Sequence, residues 1–108
     1  MADVLTFTDR GIYCPAGDFH IDPWRPVARA LITHGHSDHA RPGHGAYLAT
    51  DAATPVIRHR LGEIAIDTIR FGETRRIGSA TVSFHPAGHI PGSAQVRVEV
   101  GGEGWGVS

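Results

Sequence analysis

The sequence predicts an α+β domain built mostly of short strands with one or two helices, and three observations carry that expectation. Apolar and polar residues alternate with period two in short pieces separated by glycine- and proline-bearing turns. A helix running to Leu61 is the clearest helical stretch, with Thr50 or Thr54 to cap it, Pro55 suited to the first helical position after a Thr54 cap, and Gly62 to end it. The apolar run Ala30, Leu31, Ile32 then leads through Thr33 into His34, Gly35, His36, Ser37, Asp38 and His39, a polar cluster that belongs on a loop at a strand end.

The bulk properties set limits. At 108 residues the chain is one domain at most, with room for a modest core. A hydrophobic fraction of 41% and a net charge of -1 describe an ordinary soluble chain. No apolar run is long enough to cross a bilayer, and Met1, Ala2, Asp3, Val4 lack the basic-then-apolar order of a secretion signal. A cytoplasmic protein with no membrane partner is the resulting expectation. Cys14 is the single cysteine, so no internal disulfide can form, and a buried inert thiol is preferred to a zinc ligand or a nucleophile. All 10 basic residues are arginine. A guanidinium fork suits phosphate, but a near-neutral chain shows no basic stripe, so this bias carries little functional weight.

Taken in order, residues 4–8 and Ile12, Tyr13 read as a hairpin around Asp9, Arg10 and Gly11. Residues 19–22 form a brief strand before Pro23, Trp24, Arg25 and Pro26 force an irregular connection. Asp22 ends that strand and reads locally as a turn former ahead of proline. Residues 27–33 read as a buried strand feeding the histidine cluster. One short helical turn can follow at residues 38–41, and His44, among glycines, reads as solvated. Residues 46–49 read as a strand, and the next helix carries Val56, Ile57 and Leu61 on its apolar side with His59 outside. From Ile64 onward the pattern is a twisted antiparallel or mixed sheet, with pieces at 64–66, 67–71, 75–77 and 80–84 and turns at Gly72, Glu73 and Gly78, Ser79. Residues 95–100 alternate again, and Gly101 to Gly104 make a hairpin loop before a return strand.

The chemistry concentrates in two places. Three histidines and a carboxylate within six residues, His34 to His39, form a metal-ligand pattern, since imidazole and carboxylate suit zinc and its neighbours. His34 and His36 lie two apart and project from one side of an extended backbone. Asp38 and His39 diverge, which suits a loop serving two centres. The second place is His85, Pro86, Ala87, Gly88, His89, Ile90, Pro91, Gly92. His89, between glycines, can complete a three-histidine set with His34 and His36; His85, beside a proline, can instead cap its strand.

With HGHSDH after an apolar strand and AGHIPGSA about fifty residues later, the chain resembles the amino-terminal part of a metallo-β-lactamase-fold hydrolase. The sequences CPAGDFHIDPW and AGHIPGSAQV are similar to the nucleic-acid-processing, β-CASP-type branch, and most like its bacterial ligase-associated DNA exonucleases, also called messenger-RNA 3′-end processing factors. The resemblance implies the amino-terminal half of an αββα sandwich, with His34, His36 and His89 holding one divalent ion and Asp38 and His39 contributing to a second, zinc or manganese. Asp22 matches the first motif aspartate, which orients the histidine loop and counts with Asp38 among the catalytic residues. The implied activity is phosphodiester hydrolysis on nucleic acid, DNA ahead of RNA, by a metal-activated hydroxide, with a DNA ligase or helicase as possible partner. A thioester- or lactam-type hydrolase and a non-catalytic metal-binding fragment are the alternatives. The family's bridging aspartate, a further histidine and the β-CASP insertion have no counterpart in residues 1–108. The expectation is therefore a partial metallo-β-lactamase domain, inactive by itself.

Overall fold

A computed structural model of the chain describes residues 4–34, 40–87 and 94–107. Among them, ten strands and one helix form two sheets with a shared core and the helix on the far side of the first sheet. The opening hairpin forms as expected: β1 (Thr6–Thr8) and β2 (Gly11–Cys14) pair antiparallel, and β3 (Phe19–Ile21) returns against β2. The next three strands, β4 (Arg29–Leu31), β5 (Ala46–Thr50) and β6 (Ile66–Ile69), add in parallel, so the sheet runs in chain order from β1 to β6.

Parallel neighbours need crossovers, and a helix supplies the one between β5 and β6. This helix, α1 (Thr54–Leu61), begins differently from the capping reading. Ala53 is the cap residue and has no side-chain bond. The Thr50 hydroxyl instead accepts the Ala53 N–H at 3.2 Å, while the Thr54 hydroxyl donates back to the Thr50 carbonyl at 2.8 Å. Gly62, at φ +75°, closes the helix by donating its N–H to the Arg58 carbonyl. Ala53, Ile57 and Leu61 recur every four residues on the face that meets Ala30, Ile32, Tyr47 and Ala49. Val56, expected on that face, is rotated about 100° from Ile57 and is 51% exposed.

The second sheet is an antiparallel meander of β7 (Thr74–Ile77), β8 (Ala80–Pro86), β9 (Ala94–Val100) and β10 (Glu103–Val107). Alternation sends Ala80, Val82, Phe84, Ala94, Val96 and Val98 inward against Cys14, Phe19, Ile21, Leu31, Leu48 and Ile69 of the first sheet. The turn at Gly78, Ser79 stands where the sequence puts it, and the one read at Gly72, Glu73 falls one residue earlier, at Phe71, Gly72, closed by the Glu73 N–H on the Arg70 carbonyl. The pieces read at 64–66 and 67–71 reduce to the single strand β6, which belongs to the first sheet while β7 starts the second. The two sheets are also joined at one end: Ser79 donates its N–H to the Ala16 carbonyl at 3.1 Å, and Gly78 beside it passes so close that a Cβ would stand 2.5 Å from that oxygen. Among the described residues no helix is long and apolar enough to cross a membrane.

Ile57 and Val56 make a controlled pair, one fully buried and one half open. Ile57→Ala is expected to lower unfolding free energy by about 2–5 kcal/mol and Val56→Ala to stay within about 0.5 kcal/mol, read from urea midpoints.

Candidate metal centre

Strands β3, β4 and β5 are parallel, so their carboxyl ends share one edge of the sheet, the usual ligand side of such sheets. His34 emerges there. The strand expected over 27–33 is short, because Val27 turns its N–H to His44 Nδ1 and its carbonyl to Gly45. Its far end stays in register, with the Ile32 N–H donated to the Leu48 carbonyl at 2.9 Å.

Thr33, the residue before His34, holds this edge together. Its N–H donates to Asp22 Oδ1 at 2.8 Å and its hydroxyl to Asp22 Oδ2 at 2.6 Å. Its carbonyl accepts the Ala94 N–H at 2.8 Å. Thr33 is only 1% exposed, so each polar group needs a partner, and each has one. The chain therefore enters the segment beginning at His34 with its direction set by β3 on one side and β9 on the other. Asp22 reaches this position in the left-handed region, φ +46°, which an aspartate tolerates better than most residues. Its own N–H bonds to the Leu31 carbonyl. Asp22 thus ends β3 in a turn, as the local reading expects, and its carboxylate accepts two bonds from Thr33, the residue before His34. Thr33 was not singled out in the sequence, where a threonine at the end of an apolar run carries little signal.

Of the predicted ligands, His34 is described and half-buried. His36, Asp38, His39 and His89 lie outside the described residues, as does most of the short helical turn read at 38–41. Among the described residues no group of three or more histidine, cysteine, aspartate or glutamate side chains could hold a metal ion. The Thr33 to Ala94 bond does join the two segments that carry the predicted ligands, at the residue before His34 and the residue closing the stretch that contains His89. By their chemistry, the imidazole and carboxylate donors in the sequence of those two stretches suit a divalent ion.

The remaining histidines separate clearly. His85 sits on β8 opposite Gln95, with Nε2 2.8 Å from Ser83 Oγ, on the face turned away from the inter-sheet core. His59 is exposed, as expected. His44, expected to be solvated, is buried. The glycines around it let the loop fold back onto the sheet, where Nδ1 accepts the Val27 N–H at 3.2 Å and the ring lies against Tyr47. The Tyr47 hydroxyl accepts the His44 N–H and donates to the Arg41 carbonyl at 2.6 Å. Nε2 has no partner among the described residues. Burial, and then the nearby His20, lowers the His44 pKa. His20 is itself lowered, by burial and then by Arg10, against weaker opposing effects of Asp18 and Asp9. Cys14 is fully buried, and burial raises its thiol pKa, in line with an inert role.

No protein-family profile matches the chain. A probable DNA ligase of Opitutus terrae is 35% identical over 96 residues, which are 87% of this chain and 9% of the ligase. Among solved structures, a metallo-β-lactamase HARLDQ-motif mutant from Cronobacter sakazakii superposes with a TM-score of 0.71 at 14% identity, covering 90% of this chain and 54% of the other. The chain has the metallo-β-lactamase fold. A subclass B3 metallo-β-lactamase of Bradyrhizobium japonicum gives 0.59 at 15% identity over 94% of this chain and 52% of its own. The diiron β-hydroxylase of Streptomyces venezuelae gives 0.52 at 23% identity over 71% and 19%. The chain thus spans about half the length of these lactamases and about a tenth of the ligase. Three layers of the αββα lactamase sandwich are recognisable here: α1, the first sheet and the second sheet.

Two outcomes follow from this geometry. Asp22→Ala leaves the buried Thr33 N–H unpaired and is expected to cost about 1–3 kcal/mol, with faster amide exchange at Thr33. Asp22→Asn, which keeps one acceptor and an amide that the threonine hydroxyl can accept from, is expected to cost less. For His44 the folded pKa lies below its ordinary value, so the unfolded chain binds more protons in between. Stability is fully present above about pH 6.5 and falls as pH drops through the lowered pKa. His44→Asn, which can still accept from Val27, is expected to flatten that part of the loss below about pH 6.5 in urea titrations.

Proposed function

We propose that the chain is the metal-binding part of a metallo-β-lactamase-fold hydrolase that cleaves phosphodiester bonds at DNA ends. The observation that carries this reading is the Thr33 junction. It ties the base of HGHSDH to the close of AGHIPGSA through one backbone bond and anchors it to Asp22 through two more. On this reading His34, His36 and His89 hold one divalent ion, and Asp38 and His39 contribute to the second. Zinc is the first choice and manganese the second, from the nitrogen and oxygen donor set. Bound divalent ions at such a site supply Lewis-acid chemistry, activating water and neutralising charge on phosphoryl oxygens. The protein's own part is positional: Asp22 and Ala94 hold Thr33, from which the chain enters His34.

The nucleic-acid assignment draws on the relative named a probable DNA ligase and on the likeness of CPAGDFHIDPW and AGHIPGSAQV to the β-CASP-type branch. Residues 1–108 are then part of a lactamase domain, active with the rest of that domain, in the cytoplasm and in company with a ligase or helicase. A thioester- or lactam-type hydrolase is the second reading, favoured by the lactamases among the structural neighbours.

Zinc binding by equilibrium dialysis is expected for the chain, weakened about 10–100-fold by Asp22→Ala through loss of the orienting carboxylate. Joined to the remainder of a lactamase domain, the protein is expected to trim labelled DNA ends with zinc or manganese and to stop in EDTA. Turnover of a thioester with DNA left intact would select the second reading, and neither turnover would leave a metal-binding fragment.

A further inference from the structure

The edge that carries Asp22 and His34 also carries an aromatic side chain that neither the core nor the predicted ligand set uses. Trp24 is held rigidly: its Nε1–H donates to the Asp9 carbonyl at 2.9 Å and its backbone N–H to the Arg10 carbonyl at 3.1 Å. Its ring lies over Gly11, where a Cβ would stand 3.5 Å from Cζ3. That is ordinary contact distance, and the demand for glycine there comes from its φ of +127°. Even so, Trp24 is 48% exposed, fixed from behind and open in front.

Two arginines flank it. The Arg25 side chain is 63% exposed, and its only carboxylate partner among the described residues is Asp9 at 3.7 Å. An exposed pair at that distance is worth little and opens readily to a competing anion. Arg10 is exposed and has no carboxylate partner among the described residues. It borders a polar hollow of about 330 Å³ with Thr8, Asp9, Tyr13, Asp18 and His20. The Asp18 carboxylate there is engaged by the Tyr13 hydroxyl at 2.7 Å.

The register places this cluster beside the candidate centre. Ile12 pairs with Ile21, and Ile21 with Leu31. The Asp9, Arg10 turn and Thr33 therefore leave the sheet at the same edge, two strand spacings or about 10 Å apart. A flat apolar ring with two exposed arginines near it in the chain fold is the chemistry that accepts a base and its adjoining phosphates.

We propose that Trp24, with Arg10 and Arg25, is a stacking platform that holds a base of single-stranded nucleic acid beside the candidate centre. The proposal rests on the nucleic-acid reading above and deepens it. The indole face takes the base, the guanidinium groups take the phosphates, and the bases are not discriminated because every base offers a π-face.

The test needs no catalysis. Trp24 and Trp105 are the two tryptophans of the chain, so Trp105→Phe leaves Trp24 as the sole indole reporter. Titrating that protein with oligothymidylate in EDTA is expected to quench Trp24 emission, with the affinity of the parent chain. Trp24→Ala is expected to weaken binding about tenfold or more, and Trp24→Phe much less. Because Trp24→Ala could loosen the Asp9, Arg10 turn, the Arg10→Ala, Arg25→Ala double variant gives an independent reading. Its log K against log salt slope is expected to be shallower by about 1.4, or 0.7 per lost phosphate contact. Binding without quenching and with both variants unaffected would overturn the platform while leaving the hydrolase reading in place. So would equal quenching by polyglutamate, which would mark an acidic-polypeptide site, or no oligothymidylate binding at all. Failure of metal-dependent DNA trimming with quenching intact would strike the hydrolase reading alone.

Discussion

Thr33 is the point at which the fold and the candidate site depend on each other. A strand of three residues, Arg29–Leu31, is too short to aim a following segment by its own ladder. The direction at His34 comes instead from three bonds to Thr33 made by two other parts of the chain, Asp22 after β3 and Ala94 at the start of β9. Two of these are charge-assisted, and all lie at a residue almost fully shielded from water, where bonds are strong and their absence costly. Because Ala94 belongs to the second sheet, the same junction couples the two sheets at this edge. The Ser79 to Ala16 contact couples them elsewhere.

How each sheet is covered explains how it reads in sequence. The second sheet shows one face to the core, so β8 and β9 alternate cleanly, with Val82 and Phe84 inward and Ser83 and His85 outward. The first sheet is covered on both faces in its parallel part, by the second sheet and by α1 with its flanking loops. Ala30, Leu31 and Ile32, and again Tyr47, Leu48 and Ala49, are consequently all buried, with odd and even positions facing different cores. Such runs announce a buried strand without saying which neighbour lies on which side. That is why residues 64–71 could be read as β structure while the switch from the first sheet at β6 to the second at β7 could not.

The same distinction governs the site. Glycine turns, the helix stop at Gly62 and the density of HGHSDH are local properties and are legible in the sequence. The burial of His44 was not, because it depends on Val27, seventeen residues away, and on Tyr47. Glycines that suggest an exposed loop also permit a tight return onto the sheet, and only the partners decide between the two. Thr33 was silent for a similar reason: nothing within its own stretch distinguishes it from any threonine ending a strand. Arg10, Arg25 and Trp24 were each visible, yet a count of arginines against net charge gave them no weight. Their meaning comes from the antiparallel return of β2 against β3, which sets them beside Asp22.

Asp22 shows how narrowly such a junction constrains its residue. The position asks for a backbone in the left-handed region and for a side chain short enough to return to a neighbouring strand and accept two bonds at once. Glycine satisfies the first demand and offers nothing for the second. Glutamate supplies both acceptors but adds a methylene and tolerates the conformation less well. Asparagine accepts the conformation but presents only one acceptor, so the threonine hydroxyl must reverse its role. Aspartate alone among these meets both demands with its own atoms. A single side chain can thus end β3, turn the chain toward Pro23 and Trp24, and hold Thr33 at the end of the neighbouring strand. The turn that a local reading finds at Asp22 and the two bonds it accepts from Thr33 are then consequences of the same short carboxylate.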